Sequence, residues 1–186
     1  MTISVIGLNH KSANIDIREK FSFTADSASL LLRRIKKVTD ILEVIVVSTC
    51  NRTEIYCEST NGADDIKNWL LSEKEYKSFA KHLYIHQEED AIEHLFKVVA
   101  GLDSMVIGES EVLGQVKTAY KIALDNKSID GKLKRLFEYS FSVAKNVRTN
   151  TDIGGNAISF MYTSILLIKK IFSTVEEKRC LLIGAG

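Results

Sequence analysis

Proline is absent from the 186-residue chain. Its turns must therefore rest on Gly, Asn, Asp and Ser. Cysteine is scarce and odd in number, at three, which argues against a disulfide framework and for a reducing compartment. An excess of one charge is missing as well: 25 Lys and Arg face 24 Asp and Glu, for a net charge of +1. No global field draws in nucleic acid or anionic lipid, so any polyanionic partner must be held by a local patch. No apolar run approaches the ~18 residues a membrane span needs. The opening MTISVIGLNHK has neither the basic start nor the long apolar segment of a signal peptide. These absences point to a cytoplasmic chain without a membrane segment. What remains is ordinary globular composition, 45% hydrophobic and 26% charged, with a length that suits one or two domains. There is no internal repeat or low-complexity stretch.

The hydrophobic pattern predicts an α+β fold. Residues 3–8 are β-branched and apolar and read as a buried strand. Thr24 can cap a helix whose apolar face is Leu30, Leu31, Ile35 and Val38. Strands follow at 43–48 and 53–58, joined by the short link Thr49-Cys50-Asn51-Arg52. After the turn at Asn61-Gly62, Ile66, Trp69, Leu70 and Phe79 mark a second helix, and 82–86 a fourth strand. The order β-α-β-β-α-β is that of a ferredoxin-like unit, over residues 1–86. From 87 to 155 the pattern is helical. Ile92, Leu95, Phe96 and Val99 form a stripe that Gly101 stops, a polar loop spans 101–110, and helices run over 111–126 and 132–150. Gly154-Gly155 breaks the last of these. Residues 156–186 read as a connecting helix, over about 157–173, and a strand running into Gly184-Ala185-Gly186, the opening of a dinucleotide-binding turn. A lone parallel strand cannot bury its faces, so the expectation is an N-terminal piece of a longer protein.

Cys50 is the main candidate for chemistry. It ends a buried strand in a polar turn, and Arg52, two residues on, is a guanidinium that would favour the thiolate. The competing reading is a small buried hydrophobe, the commoner fate of a free cysteine. Cys57 and Cys180 read as core, and the spacing of the three cysteines suits no zinc site. His94 lies on the helix of the Ile92 stripe but points away from it, either solvated or aimed at a cleft as an acid or base. His10, His82 and His86, near strand ends, read as structural. The loop from Asp103-Ser104 to Glu109-Ser110-Glu111 and Gln115 can hydrogen-bond a polar ligand or merely cap the next helix. Lys117, Lys121, Lys134, Lys145 and Arg148 could hold a phosphate backbone, but read more simply as solvated helix faces.

Several of these segments occur together and in order: Gly7-Leu8-Asn9-His10-Lys11, Ser48-Thr49-Cys50-Asn51-Arg52-Thr53-Glu54-Ile55-Tyr56, His94-Leu95-Phe96, Gly101-Leu102-Asp103-Ser104-Met105-Val106, Gly108-Glu109, Leu113-Gly114-Gln115-Val116-Lys117, Ala144-Lys145-Asn146-Val147-Arg148 and Ile183-Gly184-Ala185-Gly186. Over its whole length the chain resembles the opening of the glutamyl-tRNA reductases. The resemblance implies NADPH-dependent reduction of glutamyl-tRNA to glutamate-1-semialdehyde, the entry step of tetrapyrrole and haem synthesis by the five-carbon route. It implies Cys50 as thioester-forming nucleophile and His94 as functional histidine. It places Thr49, Asn51, Arg52, Ser104, Glu109, Ser110, Glu111 and Gln115 at the substrate. A guanidinium pairs bidentately with a carboxylate, so the expectation is that Arg52 holds the substrate's side-chain carboxylate. NADPH would bind at Gly184, Ala185 and Gly186. A homodimer of the full-length protein and the downstream aminomutase are the implied partners. This chain departs from the family at Asn14, near which a proline is usual, and at Ser110-Glu111, where the family often has Pro-Gln. Without the rest of the dinucleotide domain, the expectation is thioester formation and slow, esterase-like hydrolysis.

Two other readings compete. One is a ferredoxin-like module that binds RNA or a protein partner without catalysis. Such sheets stack bases on exposed aromatics, and only Tyr56 and Tyr84 are candidates here. The other is an unrelated thiol enzyme, which needs an oriented Cys–His pair.

Overall fold

The computed structural model describes residues 1–37, 40–109, 111–155, 160–172, 174, 179 and 181. Runs rich in β-branched residues form one sheet of four strands: β1 (Thr2–Asn9), β2 (Ile41–Ser48), β3 (Arg52–Ser59) and β4 (Tyr84–Gln87). Their spatial order is β2-β3-β1-β4, and every pairing is antiparallel. Helices complete an α+β architecture: α1 (Ile15–Lys20), α2 (Ala25–Ile35), α3 (Ala63–Ser72), α4 (Glu88–Val99), α5 (Glu111–Asp125), α6 (Lys132–Asn150), α7 (Asp152–Gly155) and α8 (Phe160–Ile171).

β3 is the axis of the molecule. Each of its residues is buried, so both faces of the strand are covered. Alternation puts Arg52, Glu54, Tyr56 and Glu58 on one face and Thr53, Ile55, Cys57 and Ser59 on the other. The first face meets the helical part of the chain: Tyr56 packs edge-on against Phe137 of α6 at 5.3 Å, and Lys132 of α6 pairs with Glu58. α4 packs on β1 and β4, α5 on β2 and α2, and α6 on β2 and β3. Val5, Leu8, Ile45, Ile55, Leu95, Leu133 and Phe137 belong to one continuous core, so the sheet and the later helices stabilise each other by shared apolar burial.

Local signals explain the helix starts. Thr24 caps α2, its hydroxyl accepting from the Ser27 amide at 3.3 Å, and Ala28, Leu31, Leu32 and Ile35 form the buried face. The N-cap of α6 is Gly131, which has no side chain to cap the helix with. The carboxylate of Glu43 on β2 supplies the cap, accepting the amides of Asp130 and Gly131 at 2.6 Å and of Leu133 at 2.8 Å. Among the described residues no helix is long and apolar enough to cross a membrane.

The structure corrects several sequence expectations. α1 forms where the sequence predicts no element, because Asn14 caps it by accepting from the Ile17 amide at 3.1 Å. Phe79 is not on the helix of Ile66 and Leu70, which ends at Ser72. It sits on a separate 3-10 turn, Lys77–His82, and packs on Phe21 at 4.8 Å. Gly154 and Gly155 do not stand as a break but close α7. In α4 the buried residues are Ala91, Leu95, Val98 and Val99, so the core-facing stripe is rotated from the expected one toward His94. Ser110, Cys180 and Gly184–Gly186, and with them most of the expected terminal strand, lie outside the described residues.

Candidate active site

The link between β2 and β3 is a tight turn built by its own first residue. The Thr49 amide donates to the Arg52 carbonyl at 2.8 Å. The Thr49 hydroxyl accepts from the amides of Asn51 at 3.2 Å and Arg52 at 3.1 Å. The Asn51 carbonyl accepts from the His10 amide at 3.0 Å, which ties the end of β1 to the turn. Cys50 is left at the tip as an exposed free thiol. Cys57, by contrast, is fully buried on β3, and burial raises its thiol to about 12.

Arg52 does not face Cys50 as a free cation. Its side chain is 2% exposed and ion-paired with Glu54, itself 0% exposed, at 2.7 Å. Its other terminal nitrogen donates to the carbonyl of Asp103 at 2.5 Å and to that residue's carboxylate at 2.9 Å. Asp103 in turn pairs with Lys11. Glu54 is the hub of a network. One carboxylate oxygen accepts from Arg52, from the Tyr84 hydroxyl at 2.5 Å and from His94 Nε2 at 2.8 Å, and the other from the Tyr56 hydroxyl at 2.7 Å. Burial alone would raise the Glu54 carboxyl. The hydrogen bond from His94 and the Arg52 charge outweigh it and hold the group well below the usual carboxylate range. Burial and the Glu54 charge push the Tyr84 hydroxyl far up, so it stays a donor. His94 also stacks on His86 at 4.8 Å.

The thiol is therefore raised, against the expectation that Arg52 favours the thiolate. Partial burial and the carboxylates of Glu109 and Glu111 raise the Cys50 thiol above the ordinary 9.0, and Arg18, not Arg52, is the cation that opposes them. The guanidinium of Arg52 is neutralised by Glu54 and Asp103 before it can act on the sulfur.

The remaining predicted residues lie on the loop before α5 and on α5 itself. Ser104 follows Asp103, and its hydroxyl oxygen is buried with no hydrogen-bond partner among the described residues. Glu109 is half-buried, and its carbonyl accepts from Arg148 at 3.4 Å. Glu111 opens α5, and Gln115, one turn on, lines a cleft with Ser48. His94 is joined to this assembly through Glu54; among the described residues no hydrogen bond connects it to Cys50. Sequence reasoning missed Glu54, Tyr84, Lys11 and Arg18. A signal for Glu54 was present: an acid two residues from an arginine on a strand buried on both faces must be paired.

Residues 6–151 match the family model described as glutamyl-tRNAGlu reductase, N-terminal domain. The glutamyl-tRNA reductase of Aliivibrio fischeri is 42% identical over 190 residues, covering 100% of this chain and 46% of that protein. The glutamyl-tRNA reductase of Xylella fastidiosa is 45% identical over 186 residues, covering 100% of this chain and 42% of that protein. The solved glutamyl-tRNA reductase from Methanopyrus kandleri superposes with a TM-score of 0.72 at 27% identity, over 90% of this chain and 39% of that one. The chain thus spans less than half the length of these relatives.

Proposed function

The chain belongs to the N-terminal domain family of the glutamyl-tRNA reductases, and from that membership we propose that it performs the acyl-transfer half of such a reaction. In this reading Cys50 takes the glutamyl group from tRNA as a thioester, on the way to glutamate-1-semialdehyde and tetrapyrroles. The observation that supports it most is the position of Cys50: an exposed thiol at the tip of a turn whose neighbours Thr49 and Arg52 are bound into the scaffold.

The sulfur attacks the acyl carbonyl carbon, a C–S bond forms and the ester C–O bond breaks. The terminal ribose oxygen leaves and takes up a proton, replacing the one the thiol loses. Because the thiolate is the nucleophile and the resting thiol is raised, the proton must be given up for the attack. A ligand carboxylate reaching Arg52 exchanges with Asp103, whose side chain is 15% exposed, rather than with Glu54 at 0%. With Nε2 committed to Glu54, we assign His94 to holding Glu54 and Arg52 in place rather than to proton transfer. NADPH would supply hydride to the thioester, which accepts it more readily than a carboxylate does. The residues expected to hold NADPH lie outside the described ones, so the steps assigned to this chain end at the thioester. A homodimer, hand-off to an aminomutase and a cytoplasmic location belong to the same proposal; the first two rest on resemblance. The ferredoxin-like reading of the sheet belongs to it too; it comes from the β-α-β-β-α-β order of the sequence pattern, and the strand order β2-β3-β1-β4 supports it.

The test is a single-turnover incubation with radiolabelled glutamyl-tRNA without NADPH, acid-quenched and run on a denaturing gel. Wild type should carry label that hydroxylamine releases, and Cys50→Ser should carry none. Equal label on both, or bound tRNA with no labelled protein, overturns the proposal.

A further inference from the structure

A cleft lies between α2, β2 and α5, lined by Phe23, Ala25, Val46, Ser48, Gln115 and Thr118 among others. Its volume is about 160 Å³, small beside the 300–1,000 Å³ of pockets for drug-sized ligands and suited to one planar ring system. Two independent routes place it beside Cys50. Ser48 on β2 precedes Cys50 by two residues, so at about 3.5 Å per residue the cleft wall is within roughly 7 Å of the nucleophile's backbone. On α5, Glu111 acts on the Cys50 thiol, and Gln115 lies one turn along the same face, about 5–6 Å away. Thr118, Ala119 and Ile122 continue that stripe into the cleft.

The lining selects a neutral ring. No charged side chain is among the described residues that form it, so a phosphate is not its natural occupant. Phe23 is half-buried and is held by Phe21 at 5.6 Å and Tyr76 at 6.2 Å, leaving a fixed aromatic surface at the cleft. The Ser48 hydroxyl is already occupied, accepting from the Phe23 amide at 3.0 Å and bonded to Thr53. The Gln115 carboxamide has no hydrogen bond among the described residues, which leaves its donor and acceptor unused by them. A side-chain amide of that kind pairs bidentately with an adenine edge. The leaving group of an aminoacyl-tRNA is its 3′-terminal adenosine, which must lie next to the nucleophile while the ester is attacked.

We propose that this cleft binds the terminal adenine of the acylated RNA, with Phe23 as stacking surface and Gln115 reading the base. The proposal rests on the thioester reading above and adds a recognition site for the leaving group.

The test compares Cys50 acylation by 2′(3′)-O-glutamyl-adenosine, 2′(3′)-O-glutamyl-cytidine and glutamate α-methyl ester, followed by intact-protein mass spectrometry. In the wild type the adenosine ester should react about tenfold faster than the other two, the scale of one stacked and paired base. Ala25→Trp and Thr118→Trp fill the cleft from exposed rim positions on two different helices. Each should bring the three rates within about twofold while leaving the methyl ester rate unchanged. Two variants and a circular dichroism melt separate filling from misfolding. Equal rates for all three esters in the wild type, or a preference surviving in both folded variants, overturns the cleft and leaves the thioester reading intact. No acylation of Cys50 by any ester overturns both.

Discussion

His94 Nε2 stands 2.8 Å from the Glu54 carboxylate oxygen that Arg52 also contacts, at 2.7 Å. A histidine on α4 and an arginine beside the exposed thiol are thus coupled through one buried acid. Removing that acid's charge leaves Arg52 buried with less compensation, and breaking a buried pair is costly. Glu54→Gln should lower stability by roughly 2–4 kcal/mol in urea titration at neutral pH. The pH dependence has a definite sign. The folded carboxyl is depressed below 4.5, so the unfolded chain binds the proton first as pH falls. The stability due to Glu54 is full above the ordinary value and is lost as pH drops through the depressed one. The gap between wild type and variant should hold constant from pH 7 to 5 and shrink in stronger acid. A gap that widens toward low pH would show that Glu54 is not held ionised.

Reactivity of the thiol gives an independent check on the electrostatics. The Cys50 thiol is raised above 9.0 by partial burial and by Glu109. Iodoacetamide labelling of Cys50 should therefore follow a pH profile with its midpoint above 9.0, because only the thiolate reacts. Glu109→Gln should move that midpoint down, since it removes a nearby negative charge. A wild-type midpoint below 9.0 would mean that a cation, and not Glu109, governs the sulfur.

Much of the fold was legible because its signals are local. β-branched runs set β1 and β2, Thr24 set the start of α2, and the Thr49–Arg52 link set a hairpin at the position observed. The α+β class follows from those elements alone. Signals failed where a distant partner decides the outcome. Phe79 continues an apolar pattern, yet Phe21, far back in the chain, takes it onto a separate turn. At the site, the Thr49-Cys50-Asn51-Arg52 turn was readable, but the state of Arg52 was not. Its anionic partner Asp103 lies 51 positions away, and its orientation depends on a strand, two loops and a helix. A residue two places from a thiol in sequence can spend its charge elsewhere, and only the packing shows it.

The start of α6 depends on a side chain from β2. Glu43 accepts three amides, those of Asp130, Gly131 and Leu133, and is 3% exposed. Burial raises its carboxyl, but the amide hydrogen bonds win and lower it. Glu43→Ala should strand those donors, of which the Leu133 amide is buried, and cost roughly 2–4 kcal/mol. Native-state hydrogen exchange should show the amides of Asp130, Gly131 and Leu133 accelerated far more than those in the middle of α6. Uniform acceleration along the helix would instead indicate global destabilisation without a capping role.

Gly7 on β1 stands opposite Glu54 on β3 in the strand register, and the approach there leaves no room for a side chain. A Cβ at position 7 would come within 2.6 Å of the Thr53 carbonyl oxygen, 2.8 Å of Glu54 Cγ and 2.9 Å of Glu54 Cα. Two of those atoms are backbone and cannot swing aside, so Gly7→Ala must separate the central strands or displace Glu54. Overpacking of this kind costs about 1–3 kcal/mol, and the displacement falls on the hub that holds Arg52 and His94. The expected result is a lower urea midpoint together with altered imidazole NMR shifts for His94, whose Nε2 proton is held by Glu54. Gly62 provides the contrast: its positive φ of 67° also disfavours alanine, but its nearest neighbour is the flexible Gln87 side chain. Gly62→Ala should therefore lower the midpoint without moving the His94 signals. If both variants leave His94 unchanged, the close packing at Gly7 serves the sheet alone and not the Glu54 network.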